Sequence, residues 1–299
     1  MQRILPFLLF LGLGVFLRRL SVFPKETDRS LNLYVIYIAL PALILLKVPS
    51  LSLSSQMVVA VLMPWAALVT SALLVLLAGK LGRWSRDTTG ALLLVVPLGN
   101  TSFLGIPMVE QFFGGSAVSY AVLYDQFGSF LALATYGTLI LALYGKGARP
   151  GPGQVVKKII TFPPFLALLA ALFLPISPLA AAIKPALTMA AGSLVPVVLV
   201  AIGFQMQLLL PRHEIAPFGI GLFIRLLVTP VLFLLVCKSF GLTGTAVRVS
   251  LFETAMPPMV TAGALASIAD LKPGLTSAMV GFGILLSFLS LPMIYQWIQ

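Results

Sequence analysis

The sequence predicts an all-α, polytopic membrane protein, and three observations carry that reading. The chain is 60% apolar and only 9% charged, with a mean hydropathy of +1.08, whereas soluble domains carry roughly a quarter charged residues. Apolar runs at residues 31–46, 57–79 and 275–297 are of the order of the about 20 residues that cross a bilayer's hydrocarbon as a helix. Lysine and arginine collect in alternate short loops between such runs, as the orientation rule for membrane helices requires. The formal charge of +11 therefore describes membrane sidedness. It forms no basic domain for nucleic acid.

Taken in order, the apolar segments number ten, at roughly 3–20, 31–48, 57–79, 90–112, 117–144, 158–174, 180–209, 215–240, 246–268 and 275–298. The first leads into Arg18 and Arg19 without a small-residue cleavage site, so it reads as a retained span and not a signal peptide. Arg18, Arg19, Lys25 and Arg29 mark the first loop, Lys80, Arg83 and Arg86 the third, and Lys146, Arg149, Lys157 and Lys158 the fifth. Arg212 and Lys272 follow at the seventh and ninth. The other side holds only Arg3, Lys47, Lys184, Lys238 and Arg248. Both termini are thus expected on the non-cytoplasmic side of the cell membrane.

The polar, turn-rich stretch 145–158 divides the chain into halves, giving a first repeat at 1–144, a cytoplasmic central loop at 145–157 and a second repeat at 158–299. The halves echo each other. Ala39-Leu-Pro-Ala-Leu-Ile-Leu45 is similar to Leu194-Val-Pro-Val-Val-Leu-Val200, and Phe127-Gly-Ser-Phe-Leu to Phe282-Gly-Ile-Leu-Leu, at one shared offset. Ile106-Pro-Met-Val109 matches Pro257-Pro-Met-Val260 at nearly the same offset. Five spans per half is an odd number, so the second half is inverted relative to the first. Inverted repeats of this kind are a signature of secondary transporters.

Two spans are interrupted. The fourth holds Pro97, Gly99, Gly105 and Pro107, and the ninth holds Pro257 and Pro258. Proline removes a ladder N–H and clashes with the preceding turn, so neither span is a continuous helix. Irregular backbone at membrane depth belongs beside a cavity or inside packed protein. Paired half-helix N-termini there offer free N–H donors and partial positive charge to an anion such as a carboxylate. Asn100, Thr101 and Ser102 add neutral hydrogen-bonding groups. The alternative is that these prolines only kink packing helices; the matched pair favours a functional break.

Intramembrane charges cost about 2.5–3.5 kcal/mol on insertion scales, and Asp125, Arg225 and Glu253 lie well inside their spans. Asp125 and Glu253 are candidate proton carriers, because burial favours a neutral carboxyl while a cavity or a cation keeps it charged. Arg225 can attract an anion, pair with a carboxylate, or serve as a structural, snorkelling arginine. Glu110, Lys47 and Lys184 read as interfacial. Cys237 is the only cysteine, and the sole histidine, His213, lies in a loop beside Arg212 and Glu214. Neither a metal-ligand cluster, a Ser/His arrangement nor a phosphate-binding glycine loop is present, so an intramembrane enzyme is not expected. No cofactor is expected either. A membrane sensor that binds an anion without moving it is a third class, for which no appended signalling domain speaks.

Asn100-Thr-Ser-Phe-Leu-Gly-Ile-Pro107, the Ala255-Met-Pro-Pro258 break and Leu40-Pro41 together resemble the auxin efflux carrier family over essentially the whole chain. That family includes plant auxin exporters and bacterial permeases assigned to malate or malonate. The resemblance implies two inverted five-span repeats, a scaffold from the first two spans of each half, a transport domain from the other three, and broken fourth and ninth helices that cross near the substrate and move by an elevator-like mechanism. By position, Asn100 and Pro107 match the fourth-span motif, and Pro257 and Pro258 the ninth-span crossover. Glu253 departs from the neutral, often amide, residue expected there. The short central loop fits a small prokaryotic-type carrier.

The expected function is secondary transport of a small organic anion, a carboxylate or auxin-like acid, with Asn100, Thr101, Pro107, Glu253, Pro257 and Pro258 at the substrate and Asp125, Glu253 and Arg225 supplying coupling or charge. The expected partners are the anion, the lipid bilayer, and a proton or, in a bile-acid-type symporter, sodium; a homodimer is compatible with this reading.

Overall fold

The computed structural model describes residues 4–50, 56–145, 151–173, 182–206, 208 and 214–299. His213 and Arg212, with Arg3, Lys146 and Arg149, lie outside the described residues. Every element is helical, and no strand occurs among the described residues. In chain order the helices are α1 (Leu5–Leu17), α2 (Thr27–Lys47), α3 (Gln56–Leu81), α4 (Arg86–Val95), α5 (Ile106–Phe113), α6 (Gly115–Tyr144), α7 (Pro152–Ile160), α8 (Pro163–Phe173), α9 (Lys184–Gln205), α10 (Ile215–Ser239), α11 (Thr245–Thr254), α12 (Val260–Ile268) and α13 (Pro273–Ile298). Six of them, α2, α3, α6, α9, α10 and α13, are long and apolar enough to cross a membrane, which makes this a multi-pass membrane protein. α1 and α8 are shorter apolar helices.

Several prolines sit where helices continue, because the turn before them widens. π-turns at Val35–Ala39, Thr101–Gly105 and Ile224–Val228 each lead into a helical segment whose opening turn holds a proline, namely Pro41, Pro107 and Pro230. Proline cannot donate to the helical ladder and its ring crowds the preceding turn. One i→i+5 turn absorbs the misfit without ending the helix. Gly105 and Pro107, expected inside the fourth-span interruption, therefore belong to continuous helix, and the break itself is confined to the few residues before Thr101.

The chain forms two compact units. The first gathers Met1–Leu53, Ser102–Val122 and Val156–Met206, and so holds α1, α2, α5, α8 and α9 with the start of α6. Here α1 lies along α9 with backbones almost touching. A Cβ on Gly14 would collide with the Val200 carbonyl oxygen, and one on Gly203 with the Leu11 carbonyl oxygen. Small residues that admit such an approach are a common device of membrane helix pairs, where packing replaces the hydrophobic effect. Tyr34 and Ser193 share a 2.8 Å hydrogen bond between α2 and α9. Lys47 and Glu110, expected at an interface, form a part-exposed ion pair at 3.2 Å.

The second unit gathers Ser54–Thr101, Leu123–Val155 and Gln207–Gln299. Its centre is α4, which starts at Ser85, whose hydroxyl accepts from the Thr88 N–H at 3.2 Å as an N-cap. Leu92, Leu93, Leu94, Val95 and Val96 are all 3% exposed or less. A helix apolar all round is one enclosed on all sides. α11 packs against α3, α10 and α13. Ser71 on α3 and Thr229 on α10, both fully buried, satisfy each other at 3.0 Å. Gly128 and Gly283, the glycines of the repeated Phe-Gly motif, each face a proline ring, Pro64 and Pro258 respectively.

The α1–α9 contact gives a direct test. Gly203→Leu should lower stability by about 1–3 kcal/mol or more through overpacking, read as a fall in Tm of the detergent-solubilised protein. Gly12→Leu, where nothing lies within 4 Å of a Cβ, should leave Tm near wild type.

Candidate functional site

α4 and α11 both stop short, and the segments that follow them pair with each other. The Asn100 N–H donates to the Pro257 carbonyl at 2.8 Å, and the Met259 N–H donates to the Leu98 carbonyl at 2.9 Å. This makes an isolated antiparallel bridge between Gly99 and Pro258. The flanking residues donate both bonds, so the missing N–H of Pro258 costs nothing at this register. Beyond the bridge the chain re-enters helix at Thr101 on one side and at Val260 on the other.

The last carbonyls of a helix have no partner within it, and at these two breaks they point into protein. Arg225, on the π-turn of α10 and 2% exposed, meets them. Its Nε donates to the Met256 carbonyl at 2.6 Å, and Nη1 to the carbonyls of Val96 and Pro97 at 3.3 and 3.2 Å. The guanidinium thus ties together the C-terminal ends of α4 and α11, where helix dipoles favour positive charge. Its planar fork can serve carbonyls in two directions, which an ammonium cannot. The second terminal nitrogen lies against Gly99, where any Cβ would collide with it. Arg225 is thus buried and bonded to backbone carbonyls, so it does not snorkel.

Two carboxyls lie nearby in the same unit and are treated differently. Asp125, fully buried, accepts from the Thr101 hydroxyl at 2.5 Å and from the Gln126 amide at 2.6 Å. Glu253, on the last turn of α11 and also fully buried, has no hydrogen-bond partner at either oxygen. Asp125 and Arg225 both lie within its electrostatic range. Asn100 Nδ2, Gln126 Oε1 and Ser250 Oγ are likewise buried without partners. Unpaired buried polar atoms cost about 1–3 kcal/mol each, and five residues of this unit, Ser290 included, carry them among the described residues.

Asn100, Thr101, Asp125, Arg225, Glu253, Pro257 and Pro258 all belong to the second unit, and Pro107 to the first. Pro107 is buried near the start of α5. Gln126 and Ser250 escaped the sequence reading. Both had a signal: Gln126 adjoins Asp125, and Ser250 precedes Glu253 by three residues, hence on one helix face. Glu214, read only as the neighbour of His213, is buried and forms an ion pair with Lys272 at 2.9 Å, linking the starts of α10 and α13.

A multi-pass helical protein with two interrupted helices bonded end to end beside unsatisfied polar groups belongs to the transporter class. The chain belongs to the membrane transport protein family, the auxin efflux carrier family, whose model matches residues 1–295. It is 28% identical over 298 residues to an uncharacterized transporter of Methanothermobacter thermautotrophicus, covering 98% of this chain and 96% of the relative. An uncharacterized transporter of Methanocaldococcus jannaschii is 25% identical over 280 residues, 91% of this chain and 90% of the relative. Members of this family are transporters, so the protein is a membrane transporter and not an enzyme.

The clamp predicts its own failure. Arg225→Leu should cost about 3 kcal/mol or more, since it strands carbonyls that charged hydrogen bonds now satisfy. Gly99→Ala should be comparably damaging through its collision with the guanidinium. Thermal unfolding in detergent reads both; a Gly99→Ala protein of wild-type Tm would show that the guanidinium is free to move aside.

Proposed function

We propose that the protein is a secondary carrier of a small organic anion, a carboxylate or auxin-like acid, coupled to protons through Glu253. The observation that carries this is the Glu253 carboxyl, buried in the last turn before a helix break with both oxygens unpartnered. A carboxylate left ionised there has no donor to stabilise it, whereas taking up a proton removes the charge. Asp125 has two donors and remains the fixed charge, so the exchangeable role falls to Glu253. The helix starts at Thr101 and Val260 supply N–H donors, and Asn100 an amide, for the anion. Pro257 and Pro258 hold the break open beside them, and Pro107 belongs to the helix that leads away.

The proposal extends to architecture. Six long helices, the shorter α1 and α8, and the interrupted pairs α4 with α5 and α11 with α12 make ten crossings, as two inverted five-span repeats at 1–144 and 158–299 around the loop 145–157. α1, α2, α8 and α9 fall into one unit, together with α5 and the start of α6, and in this reading the first two spans of each half form the scaffold while the remaining spans move in an elevator-type cycle. Both termini then face away from the cytoplasm.

A second reading has its own support. Both Glu253 oxygens, Gln126 Oε1 and Ser250 Oγ are all unpartnered oxygen atoms, a set that suits a hard monovalent cation, so sodium is the alternative coupling ion.

Flux of labelled carboxylates into proteoliposomes, with proton and sodium gradients imposed separately, tests these readings. Proton coupling predicts that only the pH gradient changes the rate, and that Glu253→Gln transports without pH dependence. A rate that follows the sodium gradient supports the second reading. A rate indifferent to both, or a Glu253→Gln protein with wild-type pH dependence, overturns Glu253 as the coupling group. Asn100→Ala should weaken substrate binding by more than it lowers stability; equal losses would make the amide a packing group.

A further inference from the structure

Away from the breaks, two hollows in the second unit share Trp297. One is an apolar groove of about 470 Å³ lined by Phe223, Leu227, Val231, Leu235 and Trp297, among others. The other is a cavity of about 280 Å³ where α10 ends and α11 begins, lined by Lys238, Thr243, Arg248 and Leu251 as well as Trp297. No aspartate or glutamate lines either hollow.

The two adjoin at Trp297, and their chemistry runs on from one to the other. Val228, Val231, Leu235 and Lys238 follow one another on α10 at steps of three and four, so a single helix face runs from apolar residues to a cation. Leu232 and Leu235 are 42% and 58% exposed, the pattern of a surface that meets hydrocarbon. Arg248 makes only a long 3.5 Å bond to Gln299 Oε1, and Lys238 stands at the exposed end of its helix. Tryptophan at the junction suits the level where acyl chains give way to headgroups.

We propose that these hollows bind one anionic phospholipid, its phosphate between Lys238 and Arg248 and an acyl chain along the groove. Two cations with no aspartate or glutamate in the lining select a net negative headgroup over a zwitterionic one. The groove selects a lipid over free phosphate, because a phosphate ion leaves the apolar part empty. Since α11 carries Arg248 near its start and Glu253 in its last turn, a bound headgroup holds the far end of the helix that carries the proposed coupling carboxyl.

The test is a thermal-shift titration of the purified, delipidated protein with phosphatidylglycerol, phosphatidylcholine of the same chains, and inorganic phosphate. Phosphatidylglycerol should raise Tm saturably, phosphatidylcholine far less, and phosphate not at all. The Lys238→Gln/Arg248→Gln double variant should keep its lipid-free Tm but bind phosphatidylglycerol about thirtyfold more weakly, the contribution of two surface cations. Val231→Trp, which fills the groove and leaves both cations, should also weaken binding. Equal shifts with phosphatidylcholine, a full shift with phosphate alone, or wild-type affinity in the double variant would each overturn the proposal.

Discussion

The buried guanidinium of Arg225 is the constraint on which the rest of the second unit depends. A helix that ends inside the protein leaves carbonyls that neither water nor a helical ladder can satisfy, and here two such ends are brought together. Reciprocal backbone bonds between Leu98, Asn100, Pro257 and Met259 settle part of that demand. Arg225 settles Val96, Pro97 and Met256. A charge that would be costly alone in a membrane protein is stable because helix ends surround it, and those ends are tolerable because the charge is there.

That arrangement explains why the polar atoms left over are informative. With carbonyls paired and Asp125 held by Thr101 and Gln126, the unsatisfied Glu253 does not reflect a generally loose interior. Asn100 Nδ2, Gln126 Oε1 and Ser250 Oγ are unpartnered as well, and Glu253 is the exception among them in being ionisable. α11 connects this exception to the proposed lipid cavity at its other end, so one short helix carries both the proposed coupling group and the proposed headgroup contact.

Much of this was legible in the sequence, and for physical reasons. Membrane class follows from composition, and the interruptions from prolines that no ladder can absorb in close succession. Asp125, Arg225 and Glu253 announced themselves as charges in apolar runs. What sequence could not separate was a proline that ends a helix from one that a π-turn accommodates. Pro97, Pro257 and Pro258 belong to the first kind, Pro41, Pro107 and Pro230 to the second, and each of the second kind follows a widened π-turn. Arg225 was equally ambiguous, because its role depends on carbonyls distant in the chain. Gly99 looked like a tolerance for distortion, and its stricter task, leaving room for a guanidinium, needs three dimensions to see.

The central claim is that Arg225 holds the two interrupted helices in one bridged arrangement. Hydrogen exchange of the backbone amides of Asn100 and Met259, compared between wild type and Arg225→Lys in the same detergent, tests it most directly. Both amides should be strongly protected in wild type and exchange markedly faster in the variant, while amides in the middle of α13 stay unchanged. Fast exchange at these two positions in wild type, or protection that survives the loss of the guanidinium, would contradict the account.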